Sequence, residues 1–182
     1  MKFINANIPD LIICEPKILH DDRGFFTESF RKDLFENYLG KKINFCQENI
    51  SESKYGVLRG LHFQIEPYPQ SKLVSVLSGK ILDVVVDIRT KSKYYGKSFS
   101  IELNENDNKQ LFVPKGFAHG FLVLSKIARV SYKVDNYYNP ESERGINFND
   151  SSLRINWKIG ISSIILNDKD TKYPELNSNS FF

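Results

Sequence analysis

A chain of 182 residues with 41% hydrophobic and 26% charged residues carries enough apolar material for a sizeable core and too much for a disordered protein. Lys and Arg (25) against Asp and Glu (22) leave a net charge of +3, with bases interleaved among acids, which argues against a nucleic-acid binder built on a basic stripe. No run approaches the ~20 apolar residues of a membrane span, and the opening Met1–Asn7 lacks the apolar run of a signal peptide, so a cytoplasmic address and no membrane partner are expected.

Period-two alternation, interrupted by Gly, Asn, Asp and Pro, dominates the chain. In order, it predicts strands over 11–19 and 25–30, a helix over 32–39, then strands over 43–50, 57–64, 72–77, 80–88, 98–103, 110–113, 119–124, 127–134 and 161–166. The helix gathers Leu34, Phe35, Tyr38 and Leu39 on one face, with Gly40 as its stop. Two cysteines, Cys14 and Cys46, are too few for a disulfide framework and read as reduced core residues. The abundance of Phe (14) and Tyr (9) suits half-buried pleated surfaces. The expected fold is all-β, one domain over 1–182, as a sandwich or barrel.

Two turns predict hairpin registers. With Ser78-Gly79 as a two-residue turn, Asp83 falls opposite Val74 and Lys72 opposite Val85, making Lys72 and Asp83 diagonal neighbours. With Ser125-Lys126 as another, His119 falls opposite Tyr132. On 80–88, Leu82, Val84, Val86 and Ile88 form an apolar face, while Ile81, Asp83, Val85 and Asp87 share the other. That second face meets either solvent or a polar cavity, and the nearness of Lys72, His119 and Tyr132 favours the cavity.

Three histidines are available for chemistry: His20, His62 and His119. Arg59 and His62 fall on opposite faces by alternation, and Gly60 between them is where a bulge would aim both into one site. Gly120, beside His119, reads either as close packing or as space for a ligand. One His at 62 with Gln64 two residues on does not make a metal cluster, and the cysteines lack zinc spacing, so no metal is expected. A nucleophile elbow, a phosphate-cradling loop and a dinucleotide fingerprint are all missing from the sequence. Arg23, Arg59 and Lys169 are candidates for a diphosphate.

Ordered motifs give a more specific reading. Asp21-Asp22-Arg23-Gly24-Phe25-Phe26-Thr27-Glu28-Ser29-Phe30, Gln47-Glu48-Asn49-Ile50-Ser51, Val57-Leu58-Arg59-Gly60-Leu61-His62-Phe63-Gln64, Gln70-Ser71-Lys72-Leu73-Val74, Asp83-Val84-Val85-Val86-Asp87-Ile88-Arg89, Pro114-Lys115-Gly116-Phe117-Ala118-His119-Gly120-Phe121, Tyr132-Lys133, Tyr137-Tyr138 and Asp168-Lys169-Asp170 resemble the dTDP-4-dehydrorhamnose 3,5-epimerase family from about residue 10 to 176. The resemblance implies a cupin-like jelly-roll β-barrel with one or two short helices. It also implies a cofactor-free epimerase for a nucleotide diphosphate-linked 4-keto-6-deoxy sugar, and a homodimer whose N-terminal strands cross to the neighbour. By motif, His62 would be the base, Asp170 its dyad partner, Tyr132 the general acid and Lys72 the enolate stabiliser. Arg23, Glu28, Gln47, Asn49, Arg59, His119, Tyr138, Glu143 and Lys169 would bind substrate, Arg23 and Glu28 serving the partner's site. Asp83 joins this binding set through its expected nearness to Lys72.

The chemistry of these side chains agrees with that implication. Carbons 3 and 5 flank the C4 ketone, so loss of either proton gives an enolate. An imidazole backed by a carboxylate can take the proton, an ammonium can steady the oxyanion, and a phenol can return a proton on the opposite face. Three positions depart from the family pattern. Leu19 stands where an aromatic often stacks on thymine, Phe148 where Trp is common, and His20 where Gly is frequent. Thymidine diphosphate is the expected carrier, with guanosine or cytidine diphosphate sugars, heptoses included, as alternatives. A C3-only epimerase and a non-catalytic sugar-nucleotide binder are the competing functions.

Overall fold

Proline and turn residues decide where the alternating pattern becomes strand. The computed structural model, which describes residues 1–177, contains β1 (Lys2–Asn5), β2 (Ile12–Glu15), β3 (Ile18–Asp21), β4 (Gly24–Thr27), α1 (Lys32–Leu39), β5 (Gln47–Lys54), β6 (Leu58–Gln64), β7 (Lys72–Ser78), β8 (Lys80–Asp87), β9 (Ser98–Asn104), β10 (Gln110–Val113), β11 (Phe117–Val123), β12 (Ile127–Val134) and β13 (Glu143–Gly145). The single-domain reading extends to 182, so its last five residues lie outside this description.

The helix has the expected bounds, and Gly40 ends it at φ +67°, a left-handed conformation that glycine adopts without a Cβ clash. The expected strand 11–19 is two strands, because Pro16 has no N–H to give a ladder. β1 and β13, four and three residues long, escaped the periodicity reading. The expected strand 161–166 is instead a 3-10 turn over Ile161–Ser163, followed by a single bridge from Ile165 to Val57.

One sheet runs β1-β2-β10-β7-β12-β5, a second runs β13-β6-β11-β8-β9, and β3-β4 forms a separate hairpin. Both expected hairpin registers are overturned by this arrangement. β7 pairs with β10 and β12, whereas β8 pairs with β11 and β9 in the other sheet. Lys72 therefore lies beside Val113 and Val134 rather than Val85, and Asp83 beside Phe121 and Ile101 rather than Val74. His119 pairs with His62 and Val85, and Tyr132 with Asn49 and Val74. The turns at 78–79 and 125–126 are arches between layers, and they lock onto each other. Lys80 N–H donates to Ser125 Oγ at 2.8 Å, and a Cβ on Gly79 (φ +81°) would come within 2.9 Å of Ala128 Cα.

The inner faces of the sheets meet in a shared core. Val74, Val76, Leu111, Val113 and Val130 come from one side, with Ile81, Val85, Leu103, Phe117 and Phe121 from the other. α1 covers the outside of the first sheet, where Phe35 meets Phe112 edge-on at 5.1 Å. Cys14 is buried in that layer and Cys46 half-buried, both as free thiols. The segment containing Ile146, Leu153, Trp157 and Leu176 covers the outside of the second sheet against Leu58, Leu61, Leu82 and Val84. With both outer faces covered, the polar positions of the inner faces at one end of the sandwich have a protected cleft to themselves. The all-β jelly-roll expectation holds.

Candidate active site

The cleft starts from a glycine. Between Phe121↔Arg59 and His119↔His62, β11 advances two residues while β6 advances three, which is a one-residue bulge. Gly60 makes it possible, since its φ is +130° and a Cβ there would lie 2.5 Å from Gly120 Cα. The bulge resets the side-chain parity, and Arg59 and His62 line one cavity as the sequence suggested. Gly120 serves close packing rather than ligand space, because an added Cβ would lie 2.6 Å from the Arg59 carbonyl oxygen.

The bulge also anchors an acid. Gly60 N–H donates to Asp170 Oδ2 at 3.1 Å, and Asp170 Oδ1 lies 2.8 Å from His62 Nε2. Asp170 is buried, with its own N–H held by Asn167 Oδ1 at 2.7 Å. With the carboxylate accepting the Nε2 proton, the lone pair of His62 resides on Nδ1. Tyr173 packs edge-on against the imidazole at 5.6 Å, and burial pushes its phenol well above the ordinary range. Its ring lies so close to Gly145 that only glycine fits there.

A second imidazole–carboxylate pair stands on the neighbouring strands. His119 Nε2 lies 2.7 Å from Asp83 Oδ1, and Asp83 is 0% exposed. The solvent reading of the acidic face is thereby excluded. Asp87, on the same face, is likewise buried and is neutralised by Arg89 at 2.7 Å.

The opposite wall comes from the first sheet. Lys72 on β7, Tyr132 on β12, and Gln47, Asn49 and Ser51 on β5 face the two histidines across a cleft. Its outer part has a volume of about 320 Å³ and its inner part about 180 Å³, with His62, Lys72 and Tyr132 lining both. Along β5 every inward side chain from Gln47 to Ser53 is polar, which is costly in a core and useful in a wet pocket. Burial pulls the Lys72 ammonium down to about 8, against the opposing attraction of Asp83 and Glu143. Burial also lifts the Tyr132 phenol, which keeps its proton in place.

The rim is polar. Tyr138 OH donates to Glu143 Oε2 at 2.6 Å, and the Lys169 ammonium bonds the same oxygen. Burial works to raise the Glu143 carboxyl, but Lys169 and Tyr138 hold it below the usual range. Gln47 donates to Asn49 Oδ1 at 2.8 Å, and Arg59 donates from Nε to Ser53 Oγ at 3.0 Å. Among the described residues, no group of three or more His, Cys, Asp or Glu is placed to hold a metal ion.

Of the residues named from sequence, His62, Asp170, Lys72, Tyr132, Gln47, Asn49, Arg59, His119, Tyr138, Glu143 and Lys169 gather around this cleft. Asp83 sits behind His119, with no surface of its own toward the cavity. Arg23 and Glu28 are elsewhere, on and just after the β3–β4 hairpin, bonded to Asp21 and Arg31. Phe148 is likewise remote from the cleft, packed on Trp157 in the outer layer. Sequence reasoning missed Tyr173, Asn167 and Ser51 as parts of the site. Asn167, three residues before Asp170, carried a legible signal as a turn-forming side chain.

Two acids behind two imidazoles thus face an amine and a phenol across one cleft, an arrangement able to accept a proton on one wall and donate one from the other. A family model described as dTDP-4-dehydrorhamnose 3,5-epimerase matches residues 5–178, and the chain belongs to that family. It is 49% identical over 172 residues to dTDP-4-dehydrorhamnose 3,5-epimerase of Escherichia coli (strain K12), covering 94% of this chain and 92% of that one. The crystal structure of dTDP-6-deoxy-D-glucose-3,5-epimerase from Legionella pneumophila, in complex with dTDP-4-keto-L-rhamnose, is 46% identical with a TM-score of 0.93, over 98% of this chain and 94% of that one. A 3'-monoepimerase from Streptomyces bikiniensis in complex with dTDP-quinovose is 32% identical with a TM-score of 0.89, over 94% and 86%. These neighbours share the cupin-like fold.

Proposed function

We propose that this protein inverts C3 and C5 of dTDP-4-dehydro-6-deoxy-D-glucose, giving dTDP-4-dehydro-L-rhamnose through enolate intermediates without a cofactor. The observation that carries this reading is the His62–Asp170 pair at 2.8 Å, in a cleft whose far wall holds Lys72 and Tyr132. The His62 imidazole takes the proton from the carbon beside the ketone. The electron pair moves onto O4, where the Lys72 ammonium offsets the developing charge. Tyr132, on the opposite sheet from His62, returns a proton to the other face, and the base and acid then exchange protons to reset. Because both carbons adjoin the same carbonyl, one oxyanion partner serves both inversions.

Substrate holding falls to the rim. Arg59 and Lys169 take the diphosphate, Gln47, Asn49, His119 and Glu143 the sugar, and Tyr138 stacks near the base. Arg23 and Glu28 reach a substrate only in a second copy of the chain, which supports a homodimer with crossing N-terminal strands around a single domain. The described residues contain no helix long and apolar enough to cross a membrane.

The test is solvent exchange. In deuterium oxide with the dTDP-linked 4-keto-6-deoxy sugar, label should enter at both C3 and C5. Label at C3 alone would support the monoepimerase reading, which the likeness to the Streptomyces bikiniensis enzyme keeps in play. Tight binding without label would leave a sugar-nucleotide binder.

A further inference from the structure

The mechanism uses Lys72 as a charge, yet the amine sits in a site that works against charge. Burial pulls it down to about 8, and what opposes that pull decides whether the residue is an ammonium when the enolate forms. The titratable and charged groups around it are Asp83 on β8, Glu143 on β13, His62 and Arg59 on β6, His119 on β11 and Tyr132 on β12. Of these, Asp83 and Glu143 favour its charged form.

These two acids are not equivalent. Glu143 already accepts hydrogen bonds from the Lys169 ammonium and from Tyr138 OH. Its charge is already shared with those two partners, one of them a cation. Asp83 is fully buried, spends Oδ1 on His119 Nε2 at 2.7 Å, and has no hydrogen-bond partner for Oδ2 among the described residues. An orphaned carboxylate oxygen in a low-dielectric interior is costly unless a cation faces it. Lys72, on the opposing sheet, is the cation whose charge it favours.

We propose that Asp83 is a positioning residue for the reaction: Oδ1 fixes the His119 ring, and the free Oδ2 keeps Lys72 as an ammonium aimed at the cleft. This rests on Lys72 being the oxyanion partner, as proposed above. Asp83 touches no substrate and acts through its two neighbours.

The experiment is an NMR titration of the free enzyme, following the lysine ε-carbon of Lys72 with the signal assigned through Lys72→Arg. The wild-type midpoint is expected near 8. Asp83→Asn should lower it by about one pH unit or more, and the alkaline limb of kcat/KM should move down with it. Asp83→Glu, which retains the charge, should restore most of the shift, and His119→Gln, which spares the carboxylate, should leave the midpoint near the wild-type value. If the Asn variant does not fold, Asp83→Ser removes the same charge and must show the same fall. A folded Asp83→Asn or Asp83→Ser protein with an unmoved Lys72 midpoint overturns the proposal, whatever its activity. The titration needs no substrate, so its outcome is decisive for Asp83 even if the exchange experiment denies the epimerase reading.

Discussion

The cleft and the β3–β4 hairpin were equally conspicuous in the sequence, yet the fold treats them in opposite ways. In the cleft, both imidazoles are held from behind: His62 by Asp170, itself held by Gly60 and Asn167, and His119 by Asp83. On the hairpin, Leu19, Phe25 and Phe26 are 49%, 59% and 69% exposed, and Arg23 reaches only its neighbour Asp21 at 2.5 Å. Apolar side chains so exposed at adjacent positions of a two-stranded ribbon gain nothing from this chain alone. In the proposed function, the contrast separates proton transfer, assigned to groups of one chain, from part of substrate holding, assigned to a second copy.

The largest expected effect tests the cleft. His62→Asn should cost about 10²–10⁴-fold in turnover and abolish label exchange at both carbons, with binding largely retained. Tyr132→Phe should slow turnover while exchange at C3 survives, and unchanged turnover would remove Tyr132 from the mechanism.

Changes on the hairpin should be milder and of a different kind. Phe25→Ser with Phe26→Ser should convert the proposed dimer to monomer in light scattering. Arg23→Ala should keep the dimer and raise KM by about 10–100-fold, as expected for losing one charge-assisted hydrogen bond, with little change in kcat. A monomer with undiminished kcat/KM would erase the distinction between the two regions.

The smallest effect concerns stability. Lys72 titrates near 8 in the fold, against ~10.4 in an unfolded chain. Between those values the folded state binds fewer protons, so this residue's contribution to stability rises with pH through that window. Its charging penalty is complete below about 8 and gone above about 10.4. Lys72→Met should therefore inactivate the enzyme, and its Tm relative to the wild type should fall as pH rises from 7 to 10.5, because the wild type loses a charging penalty over that window that Met never carries. A Tm difference that does not change with pH would mean that the ammonium is better solvated than its burial indicates.

Local patterns were sufficient for the elements closest to their own physics. Alternation foretold β6 to β12 to within a residue or two, and the run from Lys32 to Gly40 foretold a helix with its glycine stop. The bulge at Gly60, and with it the shared cleft of Arg59 and His62, was also readable, because parity is a property of one strand. The other residues that line the cleft, such as Gln47, Asn49 and Glu143, were reached by way of motifs rather than geometry.

Pairing was another matter. Ser78-Gly79 and Ser125-Lys126 read as hairpins and are arches between sheets, because a turn's sequence records its dihedral angles and not the partner of the strand that follows. Only the two-layer packing decided that Asp83 would lie behind His119 instead of across from Val74, and that Lys72 and His119 would come from opposing sheets. The residues and their chemistry belong to the sequence, since side-chain type and strand parity are local. Which group backs which depends on burial and long-range pairing that exist only once the sheets have closed on each other.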